Sequence, residues 1–111
     1  MVQLKPVEFL GSSRKALAAF PAEARRAAGH QLEKIQWGIE PTDWKPFHSV
    51  GPGSLELRVR DASGEFRVLY VAKFDEAIYV LHAFQKKERK TARLDVELAR
   101  IRYTVMIRRR A

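Results

Sequence analysis

The spacing of apolar residues changes twice along the chain, and each change marks a different kind of element. Ala24, Ala28, Leu32 and Ile35 recur at helical spacing, with Arg25, Arg26, Glu33 and Lys34 largely outside that stripe. From Leu55 the period drops to two. Leu55, Leu57 and Val59 alternate with Glu56, Arg58 and Arg60, and Phe66, Val68, Tyr70 and Ala72 alternate with Arg67, Leu69, Val71 and Lys73. "IYVLHAF" (78–84) is apolar without alternation, the pattern of a strand covered on both faces. Beyond Thr91 the helical period returns at Leu94, Leu98, Ile101 and Val105, which predicts a last helix buried along that stripe.

Turn chemistry separates these runs. "DASG" and "DEA" are short breaks, so the three strands form an antiparallel meander. Upstream, residues 4–9 read as a strand, Ser12 or Ser13 caps a short helix through Phe20, Pro21 opens a second helix, and Gly38 closes it. Residues 40–54, with three prolines and two glycines, read as a loop. The expected fold class is α+β in the order β-α-α-β-β-β-α. It is an antiparallel meander sheet with a helical hairpin packed on one face and a C-terminal helix, and the other face is at least partly available.

A length of 111 residues fits one domain, 1–111. The absence of cysteine excludes disulfides, thiolate nucleophiles and Cys-based metal sites, and it suits the cytoplasm. The first residues carry Lys5 and Glu8 and no long apolar run, so neither a signal peptide nor a membrane span is expected.

Charge changes this picture. The formal net charge is +8, and residues 86–111 hold ten Lys/Arg against three Asp/Glu, while residues 1–85 are nearly balanced. Five of the eight residues from Lys86 to Arg93 are Lys or Arg. Such focusing favours a phosphate-rich partner. Arg58 and Arg60 share a strand face, Arg67 lies on the next strand across a turn, and Lys86, Lys87, Arg89 and Lys90 leave the last strand's end. Together they predict one cationic concavity. A basic outer sheet face with no ligand would show the same alternation.

Neither a Ser-His-Asp set nor metal-ligand spacing is present, and "GPGS" opens a strand, unlike a phosphate loop. His30 reads as a partly buried or surface histidine of an alanine-rich helix, His82 as a satisfied core histidine, and His48 lies in a loop that can approach the concavity. Cations alone suit RNA transesterification, in which guanidinium forks stabilise charge on the phosphoryl oxygens. Arginine is a poor general base, and a lysine among other cations is the better candidate.

The segments "ELRVR" (56–60), "FRVLY" (66–70), "VLHAFQKK" (80–87) and Lys90-Thr91, with the opening "VEFLGSSRKALAAFP", resemble the RelE/ParE toxin superfamily, in particular its HigB-like, phage-derived branch. The resemblance spans nearly the whole chain. It implies a RelE-like fold and the toxin of a type II toxin–antitoxin pair. It further implies a ribosome-dependent endoribonuclease that cuts mRNA without a metal or other cofactor and inhibits translation in the cytoplasm. The implied partners are the ribosome with its mRNA and an antitoxin, often a helix-turn-helix DNA-binding protein, with no membrane involved. Carried over position by position, the catalytic group is Arg58, Arg60, Arg67 and Lys87. Lys86, Arg89, Lys90 and Arg93 form the RNA-binding set. The base-stacking tyrosine of RelE proteins aligns near Arg93, which is not aromatic. That departure leaves room for a ParE-like gyrase inhibitor or an inactive antitoxin-binding module.

Overall fold

The computed structural model of the protein describes residues 4–111. Strand β1 (Val7–Phe9) leads into helices α1 (Ser13–Ala18) and α2 (Ala22–Gln36). Strands β2 (Trp44–Pro46), β3 (Ser54–Asp61), β4 (Gly64–Val71) and β5 (Ile78–Lys86) follow, and helix α3 (Arg93–Arg110) completes the chain. The sheet order is β1-β5-β4-β3-β2, with β1 parallel to β5 and every other pair antiparallel. The meander is as the alternation predicts. The added element is β2, inside the stretch read as a loop: Lys45 sits opposite Glu56 and Pro46 opposite Leu55. A proline is tolerated there because β2 is an edge strand.

Alternation within the strands builds two cores. Leu57, Val59, Phe66, Val68, Tyr70, Ile78 and Val80 face the α1–α2 hairpin and meet Ala24, Ala28, Leu32 and Ile35, the stripe the sequence marks. Each such large apolar side chain contributes roughly 1.5–3 kcal/mol on full burial. Helix α2 ends at Gly38, whose φ of 77° only glycine adopts without strain. Its N–H donates to Ile35 O and that of Ile39 donates to Lys34 O, which satisfies two of the last carbonyls.

The opposite face is not left open along its length. Helix α3 packs over β5 and the adjacent half of β4, where Leu69, Val71, Tyr79, Leu81 and Phe84 meet Ala99 and Met106. Coverage of both faces explains why β5 shows no alternation. The buried stripe of α3 differs from the one predicted. Ala99, Arg102 and Met106 are buried, whereas Leu94 and Ile101 are 79% and 62% exposed. A period count that places every arginine outward rotates the helix away from Arg102, which is one of its anchors. Among the described residues, no helix is long and apolar enough to cross a membrane.

The C-terminal end of α3 is tied by Arg110. Its guanidinium donates to the Glu76 carboxylate and lies 3.3 Å from the centre of the Phe74 ring, and Tyr79 Oη donates to Glu76 Oε2 at 2.8 Å. The hydrogen bond from Arg110, then that from Tyr79, pulls the Glu76 carboxyl down to about 2 from an ordinary value of 4.5. Folding therefore weakens proton binding at Glu76. The stability from this pairing is complete above the ordinary value and fades as pH falls toward about 2. The melting temperatures of wild type and Glu76→Gln should differ at neutral pH and converge as pH falls through that window. A gap that stays constant down to about pH 2 would rule the linkage out.

Candidate functional site

Strand register places the predicted arginines in two adjacent rows on the face that carries α3. Arg58 is opposite Arg67, which is opposite Phe84; Arg60 is opposite Glu65, which is opposite Lys86. In the next row toward the sheet centre, Lys45 is opposite Glu56 and Glu56 is opposite Leu69. Helix α3 covers Leu69 and Phe84 but stops short of β3. Arg58, Arg60 and Arg67 line a cavity at this edge of the sheet, to which Gln31 of α2, Thr42 and Asp43 also contribute.

The arginines are held by carboxylates. Glu56, 1% exposed, accepts from Arg58 Nε at 3.2 Å and lies 3.8 Å from Arg67 Nε and 3.9 Å from Lys45 Nζ. Arg67 Nη2 donates to Glu65 Oε1 at 3.0 Å, and Arg60 Nη2 donates to the same oxygen at 3.4 Å. The hydrogen bond and charge of Arg67, helped by the charges of Arg60 and Lys86, hold the Glu65 carboxyl below its ordinary value. Asp43 lies 4.0 Å from Arg58.

This differs from an open cluster of forks. The Arg67 side chain is only 5% exposed, and its Nη1 donates to Phe66 O at 3.1 Å. Its Nε has no hydrogen-bond partner among the described residues. Arg58 is about one-third exposed and Arg60 about three-quarters, so these two present their guanidinium groups outward.

The rim is electrostatically different. Lys87, Arg89 and Lys90 are exposed and Lys86 is half-buried, and no ion pair engages any of the four among the described residues. Arg93 stands apart in the first turn of α3, where its Nε donates to Glu97 Oε1 at 2.8 Å. A groove separates the rim from the start of the β2–β3 connection, and Lys45 and Phe47 line its far wall. Sequence reasoning missed both because residues 40–54 read as loop. An aromatic-Lys-Pro triplet compatible with an edge strand is the signal that marks them.

The histidines sort as expected for His82, which is buried with Nε2 2.7 Å from Asp95 Oδ1. His30 is exposed on α2, and His48 is exposed beside Phe47. Tyr103 does not serve the groove: its hydroxyl donates to Pro52 O at 2.6 Å and its ring packs over Gly51 too closely for any side chain there. Among the described residues, no group of three His, Cys, Asp or Glu side chains is placed to hold a metal ion.

Burial of Glu56 makes Arg67 costly to remove. Arg67→Ala should destabilise the protein by ~1–3 kcal/mol, since it removes a buried donor to Glu65 and leaves Glu56 with Arg58 and Lys45 alone. Arg60→Ala, on an exposed pair, should cost about 0–1 kcal/mol. Urea unfolding of the two variants measures this directly. An Arg67→Ala midpoint equal to that of Arg60→Ala would show that the buried pairing contributes nothing.

Residues 15–104, which span most of α1, all of α2, the meander, the cationic rim and most of α3, match the family described as "Phage derived protein Gp49-like (DUF891)". No curated protein matches the chain. The family match covers most of the sequence, and the protein therefore belongs to this Gp49-like, phage-derived family, within the RelE/HigB-type toxins.

Proposed function

We propose that the protein is the toxin of a toxin–antitoxin pair and that it cleaves mRNA on the ribosome, stopping translation. The observation that carries this reading is the juxtaposition of two electrostatic environments. Arg58 and Arg60 lie in carboxylate-held rows, and beside them Lys86, Lys87, Arg89 and Lys90 leave the end of β5 in no ion pair among the described residues. Free cations attract and track a phosphate backbone, while preorganised forks hold one phosphate in place.

In this reading Lys86, Arg89, Lys90 and Arg93 contact neighbouring phosphates. Arg58 and Arg60 bind the scissile phosphoryl oxygens. The ribose 2′-oxygen bonds to phosphorus as the bond to the 5′-oxygen breaks, giving a 2′,3′-cyclic phosphate and a 5′-hydroxyl. Lys87, exposed and in no ion pair among the described residues, donates the proton to the leaving oxygen. Arg67 is a positioning residue, because it clamps Glu56 and Glu65, which in turn orient Arg58 and Arg60. These carboxylates are engaged, so the acceptor for the 2′-hydroxyl proton belongs to the assembled ribosomal complex. That requirement accords with ribosome dependence.

An antitoxin, a helix-turn-helix protein in this reading, would neutralise the toxin by laying acidic side chains over the rim. A non-nuclease toxin or inactive antitoxin-binding module of the same family is the second reading, favoured by the burial of Arg67 between two carboxylates.

Primer extension on translating ribosomes separates these readings. Arg60→Ala should lower cleavage by about 10²–10³-fold, the usual cost of one preorganised donor. Lys90→Ala should weaken ribosome binding and reduce the salt slope by about one without moving the cut sites. Growth inhibition with no cleavage by wild type would overturn the nuclease reading in favour of the non-nuclease toxin. The absence of both, with the antitoxin still bound, would leave the inactive module.

A further inference from the structure

We propose that Phe47 is a stacking platform for one unpaired nucleobase, which makes the groove between residues 45–49 and 86–91 a site for single-stranded nucleic acid. The proposal rests on the reading of this face as RNA-binding and adds the part of the ligand that charge cannot recognise.

The groove has cations on both walls, Lys45 on one side and Lys86, Arg89 and Lys90 on the other, with Phe47 and Val96 supplying apolar surface; the buried Glu56 also lines it, 3.9 Å from Lys45 Nζ, so the ion-pair-free cations are those of the 86–90 wall. A line of cations alone would suit any polyanion. Cations flanking an aromatic ring suit a polyanion that also carries flat apolar units, because every base has a π-face and stacking tolerates any sequence. An acidic peptide would use the cations and leave the ring idle.

Phe47 is held in place before any ligand arrives. Its N–H donates to Ser54 O at 2.9 Å, extending the β2–β3 pairing, and its carbonyl accepts from Val50 N at 3.4 Å. The connection that follows is tied to α3 by Arg100 Nε, which donates to Ser49 O at 2.6 Å, and by the Tyr103 hydroxyl on Pro52 O. The opposite wall runs directly into α3. Both walls are thus referred to one helix, and binding orders little.

The other aromatics near this face are committed elsewhere. Phe84 is buried and stacked on His82 at 5.2 Å between ring centres, and Tyr103 is engaged with the Gly51–Pro52 turn. Trp44 is opposite Leu57 and so belongs to the α2 face. Phe47, half-buried and packed at its base on the α3-side core, is the aromatic that faces the cations.

The test measures fluorescence anisotropy of three labelled probes against wild type, Phe47→Leu, Phe47→Trp and Lys90→Ala. The probes are 2′-O-methyl octa-adenylate, which has no attacking hydroxyl, an abasic oligonucleotide of equal phosphate count, and poly-glutamate of matched charge. Phe47→Leu keeps the packing at the base of the ring and should weaken octa-adenylate binding by roughly 5- to 100-fold. It should leave the abasic probe unchanged, and Phe47→Trp should retain affinity for octa-adenylate. Lys90→Ala should weaken octa-adenylate and the abasic probe alike. Equal loss of both nucleic-acid probes on Phe47→Leu would reveal a folding defect and no stacking, overturning the proposal. No loss on Phe47→Leu with loss on Lys90→Ala would overturn stacking and leave the polyanion reading standing. Poly-glutamate binding as tightly as octa-adenylate, with both indifferent to Phe47, would assign the groove to an acidic protein partner.

Discussion

Everything on the cationic face depends on how α3 is held against the sheet, and a buried arginine does much of that holding. Arg102 Nη1 donates to Leu81 O at 3.0 Å and lies 3.4 Å from His82 Nδ1, while its Nη2 donates to Ser12 Oγ at 2.8 Å. Arginine can only donate, so His82 Nδ1 is an acceptor, and its Nε2–H is directed to Asp95 in the first turn of the same helix. One contact set thereby fixes the middle of α3, its beginning and the turn between β1 and α1. The guanidinium meets neutral acceptors, and burial lowers its affinity for its proton. Its burial is tolerated because its donors are directed at acceptors that the sheet would otherwise leave exposed to an apolar helix.

The acceptor on β5 exists because the β4–β5 ladder slips. Leu69 is opposite His82 but Tyr70 is opposite Val80, so Leu81 has no partner on β4. A bulge puts Leu81 and His82 side by side on the α3 face, giving α3 an apolar seat and a polar latch at adjacent positions. It also restores the register beyond it, which sets Phe84 against Arg67 and Lys86 against Glu65. Helix docking and the alignment of the cationic rows are consequences of the same irregularity.

Two kinds of positive charge result. Those inside the sheet rows are matched by Asp43, Glu56 and Glu65, which limits their pull on distant anions and fixes their geometry. Those on the rim form no ion pair among the described residues, and Lys87, Arg89 and Lys90 are exposed, which gives long-range attraction with little geometric definition. In the proposed function, such a surface captures a polyanion first and orders part of it afterwards. The net charge of the chain reports only the first property, since a paired arginine and a free one count equally.

The sequence by itself determined the elements and the sharing of a face. Period-two alternation set Arg58, Arg60 and Arg67 on one side of the meander, and the unbroken apolar run of β5 announced cover on both faces. The α2 stripe was equally plain, because a helix with one apolar face has one way to bury it. Tertiary structure decided what local pattern cannot encode. It paired Arg67 with two carboxylates, and it made an edge strand of Trp44–Pro46, whose three residues are too few to show a period. It turned α3 so that Arg102 is buried and Leu94 exposed. In each case the deciding partner lies far along the chain: Ser12 is 90 residues from Arg102, and Phe47 reaches the cationic rim only because the sheet and α3 bring the two loops together. Periodicity reports which residues avoid water, whereas long-range hydrogen bonding determines which charges the fold can afford to bury.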